Sequence, residues 1–345
     1  MTPRIVTFGE IMLRLSPPGW QRFGQARSFD AQFGGSEANI AVSLANFGMP
    51  AEFVTCLPAN DLGEACLQFL RQHGVETGHI LRDGERLGIY FLENGSGQRG
   101  SKVIYDRDGS SFATLKPGMF DWPRILKGAS WFHWTGITPA ISEGDTAVCM
   151  EAVKAARDLG LTISCDLNYR SKLWKWGRPA RDVMTGMVEL CDIVLANEED
   201  ADKVFGIAAE DADVDTGKVK VEKYAAVCEQ LAGHFPRVKT IAITLRGSLS
   251  ARHNTWSAVL WNERAFYSAS TYDISDIVDR VGAGDSFAAG LIYSLNKRNP
   301  NLQHALEFAV AASVLKHSIF GDCNLATVAE VEALEAGNAS GRVIR

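Results

Sequence analysis

The chain has 345 residues, of which 46% are hydrophobic and 22% are charged, a composition typical of globular proteins rather than of disordered or fibrous ones. The formal net charge is -6. Because nucleic-acid binders usually carry an excess of basic residues, we expect no nucleic-acid partner. The sequence has no apolar run of about 18 residues and does not begin with the pattern of a signal peptide. We therefore expect a cytoplasmic protein with no membrane partner.

Short β-branched segments alternate with helical patterns, as they do in parallel βαβ units. The spacing predicts strands at 4–10, 51–57, 130–136, 161–167, 192–198 and 239–245. Apolar residues at helical spacing predict helices at 37–47, 64–73, 145–159, 180–190, 221–232, 284–295 and 302–317. These elements predict an α/β fold with a mostly parallel central sheet.

Two segments interrupt this alternation, at 11–34 and 87–113. Both are rich in aromatic residues and glycine and contain strand-turn-strand patterns with no helix between them. We expect them to pair with each other as a small sheet that covers a site at the carboxyl ends of the parallel strands. The charged segment at 208–223 is interpreted as a solvated loop that leads into a helix.

Several familiar motifs are excluded. The closest two of the seven cysteines are ten residues apart, so we expect free, buried thiols in a reducing compartment rather than a CxxC site. The sequence GSGQRG at 95–100 matches a dinucleotide-binding pattern, but a strand follows it instead of a helix. We interpret it as the tip of a hairpin.

The first glycine-rich site opens the helix predicted at 37–47. Gly34 and Gly35 would let a ligand approach the main chain, and Asn39 would offer a donor and an acceptor from the first turn. By itself the pattern also fits an ordinary turn between a strand and a helix.

The second glycine-rich site, Gly282-Ala283-Gly284, precedes an apolar helix. Small residues at a helix amino end leave backbone N–H groups free to bind a phosphate or an oxyanion. Asp285 follows at once, either as a general base beside this anion site or as a charge that stabilises the helix start. At a helix start we expect Asp285 to have a low pKa.

Taken together, the two sites resemble the signatures of the PfkB (ribokinase-like) family of sugar and nucleoside kinases. GGSEANIAVSLANFG at 34–48 is similar to the first signature, and DRVGAGDSFAAGLIY at 279–293 is similar to the second. Their order and spacing match over essentially the whole chain. GEIMLRLSPPG at 9–19 and DLNYRSKLW at 166–174 resemble the 2-keto-3-deoxygluconate kinase branch.

The resemblance implies a single domain over 1–345 with the ribokinase-like three-layer α/β/α fold, a mostly parallel central sheet and a small β-sheet lid. It implies a kinase that uses ATP and Mg²⁺ to phosphorylate the 6-hydroxyl of 2-dehydro-3-deoxy-D-gluconate, giving 2-dehydro-3-deoxy-6-phosphogluconate. A fructokinase-like or other PfkB sugar kinase stays open as an alternative. So does a catalytically silent, ligand-binding regulator on the same fold.

The resemblance also implies roles for individual residues. Asp285 is similar to the family's catalytic base, and the backbone of Gly282, Ala283 and Gly284 to its anion hole. Expected substrate contacts are Gly34, Gly35, Asn39, Tyr90, Tyr105, Arg107, Arg170 and Asp285. Expected nucleotide contacts are Asn197, Thr244, Arg246, Gly247, Gly284 and Asn324.

Two acidic residues are expected to take part in binding cations. Asp200, one methylene shorter than the family's glutamate, is expected to reach Mg²⁺ through water. Asp279 corresponds to a position that takes part in binding a monovalent cation in some relatives.

Three arginines indicate which class of substrate to expect. Arg14 occupies the position at which neutral-sugar relatives have an aspartate that binds sugar hydroxyl groups. Because arginine cannot accept a hydrogen bond, that contact with a neutral sugar is lost. Arg107 and Arg170 are expected to bind the carboxylate of a sugar acid. The alternative for each of the three is a solvated surface charge. Open edges of the small sheet also suggest a homo-oligomer that forms through these strands.

Overall fold

The computed structural model describes residues 4–208, 223–263 and 265–338. The predicted loop at 208–223 therefore lies, except for its first and last residues, outside the described residues. The strands in these ranges are β1 (Arg4–Phe8), β2 (Met12–Ser16), β3 (Asp30–Gly34), β4 (Ala51–Val54), β5 (Cys56–Leu57), β6 (Leu81–Arg82), β7 (Ile89–Glu93), β8 (Lys102–Asp106), β9 (Ala129–Thr135), β10 (Thr162–Asp166), β11 (Ile193–Asn197), β12 (Thr240–Ser250), β13 (His253–Asn262), β14 (Ala265–Ser268) and β15 (Tyr272–Ile274).

The helices in the same ranges are α1 (Ser36–Asn46), α2 (Asp61–Gln72), α3 (Trp122–Leu126), α4 (Ile137–Ile141), α5 (Glu143–Asp158), α6 (Ala180–Val188), α7 (Asp200–Phe205), α8 (Lys223–His234), α9 (Ala283–Leu295), α10 (Leu302–Lys316) and α11 (Val328–Glu335). None of these helices has the length and apolar character needed to cross a lipid bilayer.

A nine-stranded sheet forms the centre of the molecule, in the order β14-β13-β12-β11-β10-β9-β1-β4, with β15 paired to β13. Its six predicted strands pair in parallel, whereas β13, β14 and β15 add an antiparallel edge that the sequence analysis did not predict. The parallel strands read as continuous apolar runs because helices cover both faces of the sheet.

Alternate residues of each central strand enter two separate cores, as the period of two in a strand requires. On β1, Val6 packs in one core with residues of α5, α6 and α8. Its neighbour Ile5 packs in the other core with residues of α1, α9 and α10. This arrangement confirms the predicted three-layer α/β/α architecture.

A separate four-stranded sheet, hereafter the small sheet, has the order β3-β2-β7-β8. Its strands come from the two segments that interrupt the βαβ rhythm, and β2 and β7 pair in parallel across them. Within the connection from β7 to β8, Ser96 and Arg99 form an isolated bridge. The sequence GSGQRG is therefore a hairpin tip, as predicted.

The seven cysteines are free and buried, also as predicted.

Helices α1, α9 and α10 pack closely enough to bring the two glycine-rich sites together. A Cβ atom at Gly290 of α9 would lie 2.9 Å from the Cα atom of Ala309 on α10, so a larger residue there would separate the two helices. Both glycine-rich sites begin helices on the same side of the large sheet. Their amino ends meet below the small sheet.

Candidate active site

A cavity of about 460 Å³ lies between the small sheet and the carboxyl ends of the parallel strands. The small sheet contributes Met12, Gly34, Tyr90, Val103 and Tyr105 to its lining. Helix amino ends and strands of the large sheet supply the remaining walls, with Gly35, Ser36, Asn39, Asp166, Asn197, Thr244, Gly282, Ala283, Gly284 and Asp285 among them. This is the position at which open parallel sheets bind ligands.

Asp285 lies in the first turn of α9, and two side chains of α1 orient its carboxylate. Ser36 donates from Oγ to Oδ1 over 2.5 Å, and Asn39 donates from Nδ2 to Oδ2 over 2.7 Å. Burial nevertheless raises the pKa of Asp285 above its usual value, although these two hydrogen bonds act in the opposite direction. The expectation of a low pKa is wrong because desolvation outweighs the effect of the two donors.

The segment 279–285, hereafter the anion loop, has an open backbone where α9 begins. Gly282 caps the helix in a left-handed conformation with φ of 82°, and a Cβ atom there would lie 1.8 Å from the carbonyl oxygen of Asp322. A Cβ atom at Gly284 would meet no heavy atom within 4 Å. Since first-turn N–H groups lack intrahelical acceptors, an anion in the cavity can approach them beside Gly284.

Glu37 fixes the orientation of α1 from inside the core. Its Oε1 atom accepts hydrogen bonds from the backbone N–H of Thr135 at 3.0 Å, from Thr135 Oγ1 at 2.8 Å and from Thr138 Oγ1 at 3.1 Å. Burial raises the pKa of Glu37 to about 7, even though these donors lower it. The sequence analysis did not single out Glu37, because its partners lie about 100 residues further along the chain.

Three acidic side chains line the wall formed by β10, β11 and the start of α7: Asp166, Glu198 and Asp200. Asp200 accepts backbone N–H groups on both oxygens, from Tyr169 at 3.1 Å and from Asn197 at 2.9 Å. Burial, followed by the nearby Asp200 and Asp285, raises the pKa of Asp166 well above its usual range. In the described ranges, no three His, Cys, Asp or Glu residues are grouped so that they alone could hold a metal ion.

Three arginines line the cavity: Arg170, Arg246 and Arg280. The side chain of Arg246 faces Glu198 at 4.0 Å. Arg170 is exposed and lies close enough to Asp166, Asp200 and Asp285 to lower the pKa of each. Arg280 was not predicted, although it directly follows Asp279 in the second glycine-rich motif.

The structure brings most of the predicted site residues to the cavity: Gly34, Gly35, Asn39, Tyr90, Tyr105, Arg170, Asn197, Asp200, Thr244, Arg246, Gly282, Ala283, Gly284 and Asp285. It also places Ser36 and Asn168 there, which the sequence analysis missed. Asn168 has a positive φ of 39°, and its Nδ2 atom lies 3.3 Å from Ser36 Oγ. An asparagine in this left-handed conformation is a feature that sequence alone does not show.

Four predicted site residues are not among the residues that line the cavity. Arg107 is buried and its Nε atom donates to Glu10 over 2.8 Å, while its guanidinium lies over the ring of Tyr105. Asn324 donates to Ser286 Oγ over 2.7 Å. Gly247 pairs with Thr255 in the sheet, and Asp279 forms an ion pair with Arg14.

Arg14 and Arg107 are not solvated surface charges. Arg14 has a 1% exposed side chain, and Arg107 has a 5% exposed one. Each is paired with buried carboxylates, because an unpaired charge in the interior is too costly to keep. The surface alternative for these two arginines is wrong, whereas Arg170 is exposed at the cavity.

The site therefore combines an oriented carboxylate, an open helix amino end for an anion, and arginines along the walls. These are the parts that phosphoryl transfer to a small hydroxyl compound requires. Together with the three-layer fold, they define a small-molecule kinase.

Comparison with known proteins agrees with that class. Residues 2–327 match the model of the pfkB family carbohydrate kinases, and the chain belongs to this family. It is 47% identical to a crystal structure of 2-dehydro-3-deoxygluconokinase from Thermotoga maritima, with a TM-score of 0.92 and coverage of 97% of this chain and 100% of that one.

Two further relatives cover nearly the whole chain. A 2-dehydro-3-deoxygalactonokinase of Haloferax volcanii is 34% identical over 343 residues, 99% of each chain. The crystal structure of a PfkB family carbohydrate kinase from Listeria grayi is 32% identical, with a TM-score of 0.87 and coverage of 96% of this chain and 99% of that one.

Substitutions at the two glycines of the anion loop should have opposite effects on stability and turnover. Gly284→Val should fold with a melting temperature close to that of the wild type and lose most of its turnover, because the added side chain enters the space where an anion would approach. Gly282→Ala should instead be strongly destabilised, because its Cβ atom collides with the carbonyl of Asp322. Thermal melts combined with steady-state kinetics of both variants check this. Equal turnover in Gly284→Val and wild type would contradict the anion site.

Proposed function

We propose that the protein transfers the γ-phosphoryl group of ATP to the 6-hydroxyl of 2-dehydro-3-deoxy-D-gluconate, giving 2-dehydro-3-deoxy-6-phosphogluconate and ADP. The observation that carries the proposal is the carboxylate of Asp285, held by Ser36 and Asn39 next to the open backbone at Gly284. The names of the relatives at 47% and 34% identity support a sugar-acid substrate.

The chemistry follows from this arrangement. The proton of the acceptor hydroxyl passes to Asp285, whose raised pKa makes it a better proton acceptor than an exposed aspartate. The hydroxyl oxygen bonds to the γ-phosphorus as the bond from that phosphorus to the β–γ bridging oxygen breaks, and ADP leaves. Backbone N–H groups of the anion loop stabilise the charge on the transferred group.

The acidic wall is suited to a hydrated Mg²⁺ ion that is bound mainly through the ATP phosphates. Magnesium in kinases usually keeps several waters and takes one or two carboxylates from the protein. Asp166 is one candidate, and Asp200 would act through water because both of its oxygens already accept backbone N–H groups. The ion would neutralise phosphate charge. The role of Asp279 toward a monovalent cation stays a prediction; its carboxylate accepts hydrogen bonds from Arg14, Val281 and Gly321.

We assign one side of the cavity to ATP and the other side to the sugar acid. Thr244 and Arg246, on β12, face the nucleotide. Tyr105, on the small sheet, and Arg170, on the opposite wall, face the sugar acid. Arg170 is exposed in the cavity, and its planar guanidinium can bind both oxygens of a carboxylate. Arg107 supports this side indirectly, through its contact with the Tyr105 ring.

The proposed activity predicts a specific substrate profile. ADP release measured with ATP, Mg²⁺ and a panel of aldoses, ketoses and sugar acids should be fastest with 2-dehydro-3-deoxy-D-gluconate. Asp285→Asn should keep the wild-type fold and lose at least about 10²-fold in kcat, since the general base is removed. Turnover that is fastest with fructose would favour a fructokinase-like enzyme. Substrate binding without turnover by the wild type would favour a silent regulator.

The assignment of the two walls predicts a reciprocal pair of variants. Arg170→Leu should raise KM for the sugar acid by at least about tenfold, equivalent to about 1.4 kcal/mol, and leave KM for ATP nearly unchanged. Arg246→Leu, the matched control on the nucleotide side, should do the reverse. Steady-state kinetics with each substrate varied in turn distinguish the two. Unchanged preference for the acid over fructose in Arg170→Leu would rule out Arg170 as the carboxylate ligand.

We also propose that two copies of the chain associate through the small sheet. Its edge strand β8 exposes 54% of Ile104, and the neighbouring connections expose 47% of Trp20 and 42% of Phe29. Exposed apolar side chains on an open edge favour pairing. Sedimentation should give a dimer for the wild type and a monomer for Ile104→Lys. Leu159→Lys, at an apolar position 47% exposed and away from this sheet, should stay dimeric, and a monomeric wild type would contradict the proposal.

A further inference from the structure

Arg14 lies in the interior between the small sheet and the anion loop. Its Nη2 atom donates to Asp279 Oδ2 over 2.6 Å and its Nη1 atom donates to Asp322 Oδ1 over 2.6 Å. The third nitrogen, Nε, donates to Ser16 Oγ over 2.9 Å. Every nitrogen of the guanidinium therefore has a partner, although the side chain does not touch the cavity.

A buried guanidinium between two buried carboxylates is stable only when its charge is paired and hydrogen-bonded in this way. Tyr90, beside Arg14 across the β2–β7 pair, donates its hydroxyl to the other oxygen of Asp322. Lys316 is also buried and donates to the backbone carbonyls of Asp279 and Ile319. Two cations and two anions thus balance in this cluster.

The two carboxylates belong to the segments that shape the anion loop. Asp279 begins the loop, and its Oδ1 atom accepts the backbone N–H of Val281 at 3.1 Å. Its Oδ2 atom accepts the backbone N–H of Gly321 at 3.2 Å. Asp322 places its carbonyl so close to Gly282 that no Cβ atom fits there. Movement of either aspartate would therefore move the backbone that caps α9.

We propose that Arg14 is a positioning residue for phosphoryl transfer. By holding Asp279 and Asp322 together, Arg14 fixes the backbone of Gly282 relative to the small sheet, and so sets the anion loop relative to the substrate. The inference rests on the proposed kinase activity, but Arg14 and Asp279 are not among the residues that line the cavity.

A purely structural arginine would give a different result when replaced. Its loss would lower stability and leave kcat per folded molecule unchanged. A positioning residue affects kcat, because a displacement of about 1 Å at the reacting groups can cost about 10²-fold in rate. Lysine keeps the charge but cannot span both carboxylates with a planar fork, so Arg14→Lys is the informative variant.

The experiment compares wild type, Arg14→Lys, Arg14→Ala and Arg157→Ala. Arg157 is an ion-paired control outside the site: its side chain is 20% exposed, its Nη2 atom lies 2.8 Å from Asp192 Oδ2, and neither residue lines the cavity. We expect Arg14→Lys to lose at least about tenfold in kcat, with both KM values within about threefold of wild type. Added guanidinium should restore part of the turnover of Arg14→Ala, whereas Arg157→Ala should lose stability only.

Each outcome decides the inference. Wild-type kcat in Arg14→Lys would overturn it, whatever the melting temperature, and this variant decides the question if Arg14→Ala does not fold. Equal losses of kcat in Arg157→Ala and Arg14→Lys would also overturn it, since a general loss of rigidity would then be the cause. A wild type that phosphorylates no sugar would overturn the proposed function, while an active wild type with an unaffected Arg14→Lys variant would overturn the positioning role alone.

Discussion

The hydrogen bonds from Ser36 and Asn39 to Asp285 are the contact on which the site depends. They join residues 249 and 246 positions apart, and they exist only if the amino ends of α1 and α9 meet. Glu37 fixes one helix to β9 and α4, and the close packing at Gly290 fixes the other. The large sheet places both helices on one face. The contact that orients the Asp285 carboxylate therefore depends on the three-layer fold.

This contact is maintained at an electrostatic cost. Asp285, Asp166 and Glu37 all have pKa values raised by burial, which means that their ionised forms are less stable here than in water. Asp285 and Glu37 are compensated by donors from other elements, and Asp166 by the backbone N–H of Asn168. The result is a carboxylate that is both oriented and more basic than usual, whereas a solvated aspartate would be neither.

The sequence predicted the fold well because its strongest signals are local. Apolar runs such as IAITL identify the central strands, and small residues before an apolar helix identify the anion loop. Side-chain partners are different, since they depend on residues far along the chain. Nothing near Arg107 indicates that Glu10 neutralises it, and nothing near Asp279 indicates Arg14. The low pKa expected for Asp285 failed for the same reason, because burial is a tertiary property.

The position of Arg14 gives the small sheet a second role beside covering the cavity. In β2 and β7, Arg14 and Tyr90 are neighbours across a parallel pair, and both point toward Asp322. Tyr90 also lines the cavity, as does Asp322. The cavity lining and the anion loop therefore share one buried, charge-balanced cluster. Since such a cluster is stable only when every partner is in place, the small sheet cannot shift far without disturbing the backbone on which the phosphoryl group would rest.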